Sequence, residues 1–308
     1  MNERQDIFVI PVYTTGQLLN VRRTTDLAAR QGFTPVVVCN SQATATALAN
    51  DPLSMSIGRN TGYGGAANLV AERYDFDTIL LCNDDLVFTE PGMKLLHAGV
   101  TQLSLTGGAA ILGLLPKERT RITPIPTVPV TLALVSGFST VTRRYAERRA
   151  VRNLQNVSLD PSHDPVLLGD GLAFPFVCVA LTRKAWDQLG RFDDRFPLYF
   201  EDTDILARAS KEAIPVHVAL GECTHNSSSS SRTVVPYIVP LMAVGARNYL
   251  RLHRRVSSLM ASCLVTVALV ARALGWVPLR RDRLTELRAV ARAIVAVWSS
   301  QSTAMPPW

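Results

Sequence analysis

The residues best suited to chemistry are carboxylates that end apolar runs. In "LLCNDD" a strand-like stretch terminates in Asn83, Asp84 and Asp85. Adjacent carboxylates at the tip of a buried strand are tolerated only beside a cation or hydrogen-bond donors. A hard divalent ion held by one or two carboxylates plus substrate phosphates meets that demand. The dipeptide alone equally describes a solvated turn. In "FPLYFEDTDILARA" Glu201, Asp202 and Asp204 follow a strongly apolar segment. Aromatic walls raise a carboxylate's pKa and a nearby cation lowers it, so such a group can be set up as a general base. The same acids suit a helix N-terminus, with Glu201 or Asp204 as caps. His225, just past a later strand, adds a candidate metal ligand. "RNTGYGGAAN" contains Gly62-Tyr63-Gly64-Gly65-Ala66-Ala67, a fit to G-x-G-x-x-G/A. Asp84 and Asp85 follow about 20 residues on, where a dinucleotide site has its acid.

The elements that must position these groups alternate between strand and helix. "DIFVIPVY", "TPVVVCN", "LSMSIG", "DTILLCNDD" and "AAILGLLP" read as strands, the third weakly; "TGQLLNVRRTTDLAARQG", "SQATATALAND" and "AANLVAERY" read as helices. That alternation predicts an α/β fold with a mostly parallel sheet, whose ligands lie beyond the strands' carboxyl ends. Asn40, Arg59-Asn60 and Asn83-Asp84-Asp85 all fall at such ends. Later, "FVCVAL" predicts a buried strand, Arg183–Leu189 a helix and "PVHVAL" another strand. Between Pro116 and Leu168 the chain is proline-rich, then basic in "TRRYAERRAVRN", a helix candidate. His163 and Asp164 there read as surface residues.

The net charge of +7 is unevenly placed. From Tyr237 onward ten arginines face only Asp282 and Glu286, so the rest of the chain is close to neutral. Basicity confined to a tail argues against a nucleic-acid binder. Arg247, Arg251 and Arg255 share a face if helical. Val256 to Leu279 carries one charge, Arg272, and is long enough to span a membrane but diluted by serines. Arg280 to Trp298 is again basic and apolar. This pattern suits helices lying on an anionic membrane surface. Packing on the domain, or on a second copy in a homodimer, remains the alternative. The five cysteines show no C-x-x-C spacing and read as buried thiols of a reducing compartment. The charged N-terminus leads into only about eight apolar residues, short for a signal peptide, so a cytoplasmic location is expected.

Taken together and in this order, "RNTGYGGAAN", "LLCNDD", "GRFDDRFPLYFEDTDILARA" and His225 resemble the inverting GT-A glycosyltransferases of family 2, in particular their bacterial rhamnosyltransferase-like branch. The resemblance runs from about Asp6 to His225. It implies a GT-A catalytic domain over 1–236, with 116–168 variable, followed by an amphipathic helical region over 237–308. It implies that Asp85 binds Mg2+ or Mn2+, with His225 completing the metal and diphosphate site and Asp84 near the ribose or phosphates. Asp202 matches the catalytic base and Glu201 a residue that holds the acceptor. Tyr13, Asn40, Arg59, Asn60, Asn68 and Asn83 stand where nucleotide-sugar contacts are expected, and the glycines would let the chain pass beneath the donor. Three positions depart from the pattern: Asn83 replaces an Asp, Cys39 precedes Asn40 where Asp is usual, and "FPFVCV" before Thr182 stands where relatives carry a glycine. The implied reaction moves a sugar, with dTDP-rhamnose the first donor to test and UDP- or GDP-sugars next. The acceptor would be a hydroxyl of a glycan or polyprenyl-linked molecule in cell-envelope polysaccharide synthesis, at the inner face of the membrane. The competing readings are an NAD(P)-dependent oxidoreductase, built on the glycine fingerprint, and a non-catalytic assembly subunit of the same fold.

Overall fold

The computed structural model describes residues 5–116, 122–138, 165–225, 231–277, 282–299 and 305. The basic helix candidate at 142–153, with His163 and Asp164, lies outside them. The first elements are β1 (Asp6–Val12), α1 (Leu18–Arg30), β2 (Thr34–Cys39), α2 (Gln42–Ala47), β3 (Ser54–Met55), α3 (Gly62–Ala71) and β4 (Thr78–Cys82). Then come β5 (Leu86–Phe88), α4 (Glu90–Leu105), β6 (Ile111–Pro116), β7 (Thr123–Pro124), α5 (Val128–Ser136), β8 (Val166–Leu167) and β9 (Leu172–Ala173). The chain continues through β10 (Cys178–Thr182), α6 (Arg183–Leu189), α7 (Glu201–Lys211), β11 (Val216–Gly221) and β12 (Cys223–His225). The tail forms α8 (Ser231–His253), α9 (Ser258–Ala271) and α10 (Arg283–Trp298). α8 crosses the boundary expected at 236.

Eight strands form one sheet in the order β3-β2-β1-β4-β10-β6-β11-β8. β1 to β4 run parallel, β10 lies antiparallel between β4 and β6, and β8 is antiparallel at the edge. The mostly parallel sheet expected from the alternating pattern is therefore present. Period-two alternation along β1 sends Ile7 and Val9 into one core and Phe8, Ile10 and Val12 into the other. α3, α6 and α7 cover the first face through Ala66, Val70, Trp186 and Ile205. α1 and α4 cover the second through Val21, Ala28, Met93 and Val100. Burial on both faces explains the near-continuous apolar runs.

A third core joins the tail to the sheet domain. Val239, Ala246 and Tyr249 of α8, Val265 and Leu269 of α9, and Val290 and Val297 of α10 pack with Val135 of α5 and with Phe196 and Phe200. The last two belong to the loop that delivers Glu201 and Asp202, so the tail supports the candidate chemistry directly. The proposed arginine face of the tail does not form. α8 ends at His253, and Arg255 turns away with φ +53°. Arg247 donates to Ser262 Oγ (2.9 Å) and Ser258 Oγ (3.0 Å), which ties it to α9.

Candidate active site

Three strand ends build the rim. β1 leads into Tyr13, β2 into Asn40, and β4 into Asn83, Asp84 and Asp85. β10, being antiparallel, begins at the same rim, and Val177 O accepts from the Asn83 N–H (2.9 Å). The turn after β4 is clamped from α1. Asn20 Nδ2 donates to the carbonyls of Asp84 (2.7 Å) and Leu86 (2.9 Å). Asn20 carried no motif signal, because a helix-face asparagine has no sequence signature.

Asp85 and His225 are brought together by the short pairing of β5 with β12, in which His225 lies opposite Leu86. His225 Nε2 stands 3.0 Å from Asp85 Oδ1. The pair does not meet hydrogen-bond geometry, and Asp85 Oδ1 is buried with no hydrogen-bond partner among the described residues. An orphaned buried carboxylate oxygen beside an imidazole nitrogen fits a divalent cation. No cluster of three or more His, Cys, Asp or Glu with metal-site geometry occurs among the described residues. The remaining ligands would therefore come from a substrate and water. Burial and the adjacent Asp85 charge push the Asp84 carboxyl up to about 7, against the stabilising Tyr13 backbone N–H.

On the facing side, Tyr199 and Phe200 both adopt left-handed backbone, φ +66° and +69°, immediately before α7. Two bulky residues in that region cost energy that the surrounding packing must offset, a recurrent feature of functional sites. Phe200 occupies the N-cap position just before α7, so neither Glu201 nor Asp204 caps the helix. Asp202 Oδ1 accepts from the Thr203 N–H (2.6 Å) and Thr203 Oγ1 (3.0 Å). The carboxylate also accepts from the Phe176 N–H, one residue before Val177 and hence close to Asn83. Glu201 has no comparable set of donors, and its Oε2 is buried without a hydrogen-bond partner. Burial raises both carboxyls, Glu201 further than Asp202; the Asp202 charge adds to the rise at Glu201, and the Thr203 and Phe176 donors offset part of it at Asp202. Tyr63 Oη donates to Leu81 O (3.3 Å), and burial together with the nearby carboxylates drives its pKa well up.

Asp204 plays a different part from its neighbours. It is 1% exposed and bridges α7 to the tail. Its Oδ2 accepts from Arg208 Nε (2.9 Å), and its Oδ1 lies 2.7 Å from His253 Nε2. Lys211 Nζ, which can only donate, lies 3.3 Å from His253 Nδ1. The imidazole is therefore the Nε2–H tautomer, donating to Asp204.

The glycine loop is the largest correction. Gly62 has φ +74°, and a Cβ there would stand 2.0 Å from the Pro197 carbonyl oxygen; at Gly64 it would meet the Phe192 ring at 2.6 Å. These glycines admit the loop that precedes Asp202. Their smallness is accounted for by this protein contact, without a pyrophosphate. Asn68 Nδ2 donates to Phe192 O (2.9 Å), and its Oδ1 accepts from Phe192 N (3.1 Å). Its amide thus holds that loop against α3. Asn40 is likewise buried and braced within the protein. Its Oδ1 accepts from Thr61 N (3.0 Å) and Thr61 Oγ1 (2.8 Å), and its Nδ2 donates to Gly62 O (3.1 Å). Asn60 Oδ1 accepts from Gly62 N (3.0 Å). Arg59 is exposed and makes no ion pair among the described residues. Of this loop's polar residues, Arg59 is the one whose side chain remains turned to solvent. With both glycines filled by protein, the dinucleotide reading loses its basis. Tyr237, on α8, stands near enough to Tyr13 to raise its pKa, after burial, and so brings the tail to the same rim.

No protein-family model matches the chain, and no curated protein is similar to it at a significant level. Solved structures are similar at low identity. The mannosyltransferase PcManGT from Pyrobaculum calidifontis, in complex with GDP-Man and Mn2+, is 14% identical over 97% of this chain and 89% of that one, with a TM-score of 0.46. A mycobacterial protein is 15% identical over 80% of this chain and 74% of that one, at 0.45. TarS from S. aureus, in complex with UDP-GlcNAc, is 12% identical over 95% and 89%, at 0.39. Function is therefore argued from this chain's own residues.

Proposed function

We propose that the chain is an inverting, metal-dependent GT-A glycosyltransferase that moves a sugar from a nucleoside diphosphate donor to an acceptor hydroxyl. The observation that carries this reading is one rim holding two unlike acid pairs. Asp84-Asp85 with His225 forms one, and the hydrogen-bonded Asp202 beside the unpartnered Glu201 forms the other. A purely structural role leaves the orphaned oxygens of Asp85 and Glu201 unexplained.

Asp202 accepts the proton of the acceptor hydroxyl as that oxygen attacks the anomeric carbon. The carbon–oxygen bond to the diphosphate breaks, and the nucleoside diphosphate leaves with the electron pair. Glu201, its carboxyl pushed well up by burial, is placed to hold the acceptor. Asp85 and His225 would hold Mg2+ or Mn2+, which when bound supplies Lewis-acid stabilisation of the leaving diphosphate. Arg59, exposed at the rim, is placed to meet phosphate. Tyr13, Asn83 and Asp84 remain the proposed base and ribose contacts. A rhamnose donor, an acceptor on a glycan or polyprenyl chain, and catalysis at the inner face of a membrane complete the proposal.

The test is donor turnover by purified protein, read as release of dTDP, UDP or GDP with Mn2+. Asp202→Asn keeps the oxygen that accepts from Thr203 but loses the base. It should lower kcat about 10²–10⁴-fold at unchanged donor KM. Wild-type kcat in this variant would remove Asp202 as base.

A further inference from the structure

Leu259, Cys263, Val267, Val270 and Leu274 recur at four- and three-residue intervals, so they line one stripe of α9 and the turn that follows it. All five are exposed; Leu259 and Val267 are 67% and Leu274 75% accessible. The opposite face, with Ala261, Val265 and Leu269, fills the tail core. α10 repeats the division: Ala289, Val290, Ala293 and Val297 are buried, while Leu284, Leu287, Val295 and Trp298 are exposed. The two helices run antiparallel. Trp298 Nε1 donates to Thr266 Oγ1 (3.0 Å) at one end, and Arg272 pairs with Glu286 (3.2 Å) at the other. Both outward stripes thus lie on the faces turned away from the tail core. A soluble chain rarely leaves so many large aliphatic side chains facing water together.

Charge selects the occupant. Arg283, Arg288 and Arg292 are exposed on α10, whereas Glu286 is buried against Arg272. The described part of α9 carries no acid. The segment Ser258–Gly275 is long and apolar enough to cross a membrane by composition, yet a third of it is buried within the protein. Withdrawing it to span a bilayer would open the core that supports Phe196 and Phe200. We propose that the paired outer faces of α9 and α10 lie flat on an anionic lipid surface. The aliphatic stripe enters the acyl boundary while the α10 arginines meet headgroup phosphates. This deepens the membrane placement proposed above, and it replaces the arginine stripe of α8 as the contact.

The test is flotation of the full chain with vesicles of phosphatidylcholine alone, or with phosphatidylglycerol added. Wild type should float with the anionic vesicles and resist neither high pH nor carbonate. Val267→Asp with Leu274→Asp should weaken partitioning about tenfold or more. Arg288→Gln with Arg292→Gln should abolish the preference for phosphatidylglycerol. Circular dichroism and donor hydrolysis without lipid, both unchanged in the aspartate variant, would separate lost docking from lost catalysis. Undiminished flotation of the aspartate variant overturns the proposal. So does resistance of the bound protein to carbonate, which would mean a spanning helix. A lipid-free dimer that the aspartates dissociate, in a chain that never floats, would assign the face to a second copy instead.

Discussion

Asp204 offers the sharpest test of how the tail holds the loop that carries Glu201 and Asp202. It sits two residues beyond Asp202, is 1% exposed, and receives Arg208 from its own helix and His253 from α8. Removing one partner of such a buried set leaves the others without compensation, which costs about 3–5 kcal/mol. Asp204→Ala leaves His253, 5% exposed, without its acceptor, whereas Arg208, 21% exposed, keeps the Leu189 and Arg191 carbonyls, so the lower part of that range applies. Asp204→Asn keeps the shape but turns an amide N–H toward one of two donors. Losing one charged hydrogen bond there should cost about 1.5–3 kcal/mol. Urea denaturation at pH 7, followed by tryptophan fluorescence, measures both. A double-mutant cycle with His253→Ala then isolates the cross-element pair, and non-additivity of about 1 kcal/mol or more is expected. Donor turnover should fall in step, because Phe200 and Gly245 pack together where α8 meets the loop. An alanine variant within about 1 kcal/mol of wild type, on the scale of an exposed pair, would refute the idea that this contact pins the tail.

Three further outcomes follow from the site. Gly62→Ala forces a side chain into left-handed backbone against the Pro197 carbonyl. Stability should drop about 2–4 kcal/mol from conformational and packing strain combined, and an unchanged Tm in scanning fluorimetry would show that the loop is not seated there. Glu201 has its folded pKa raised by burial, so the folded state holds a proton that the unfolded state releases. That makes stability fall as pH rises above the ordinary carboxylate range. Glu201→Gln should therefore raise Tm relative to wild type by more at pH 8 than at pH 5, and a pH-independent difference would contradict it. Asp85→Asn should shift the Mn2+ dependence of donor turnover to about tenfold higher concentration or beyond; a superimposable titration curve would take Asp85 out of the metal site.

Much of the framework follows from local pattern. The apolar runs that became β1, β2, β4, β6, β10 and β11 were visible because strands buried on both faces need little but aliphatic residues. The helix at Arg183–Leu189 was readable from its pattern, and Thr182 caps it. The positions of Asp84-Asp85 and Glu201-Asp202 at the ends of apolar segments likewise needed only the sequence. α5 escaped notice because its prolines and threonines read as extended chain, although Pro129 sits in a helix's first turn, where proline is tolerated.

Tertiary structure decided what the polar side chains were free to do. Asn40 and Asn68 carry the same amide chemistry whether they meet a nucleotide or a neighbouring loop. Only the docking of Phe192–Pro197 onto α3, for Asn68, and of the Thr61–Gly62 turn onto the end of β2, for Asn40, showed that their hydrogen bonds were already made. The glycines of "RNTGYGGAAN" had to be small in either reading, and the identity of the approaching atoms, a carbonyl and a phenyl ring, came from residues far along the chain. Asp204 looked like a third acid of the same motif until His253 arrived from the tail. Sequence determines which residues can bury, twist or carry charge, because those are properties of short segments. Which donors remain unsatisfied is a property of long-range contact, and at this rim that difference separates the side chains that brace the loops from those left to meet a substrate.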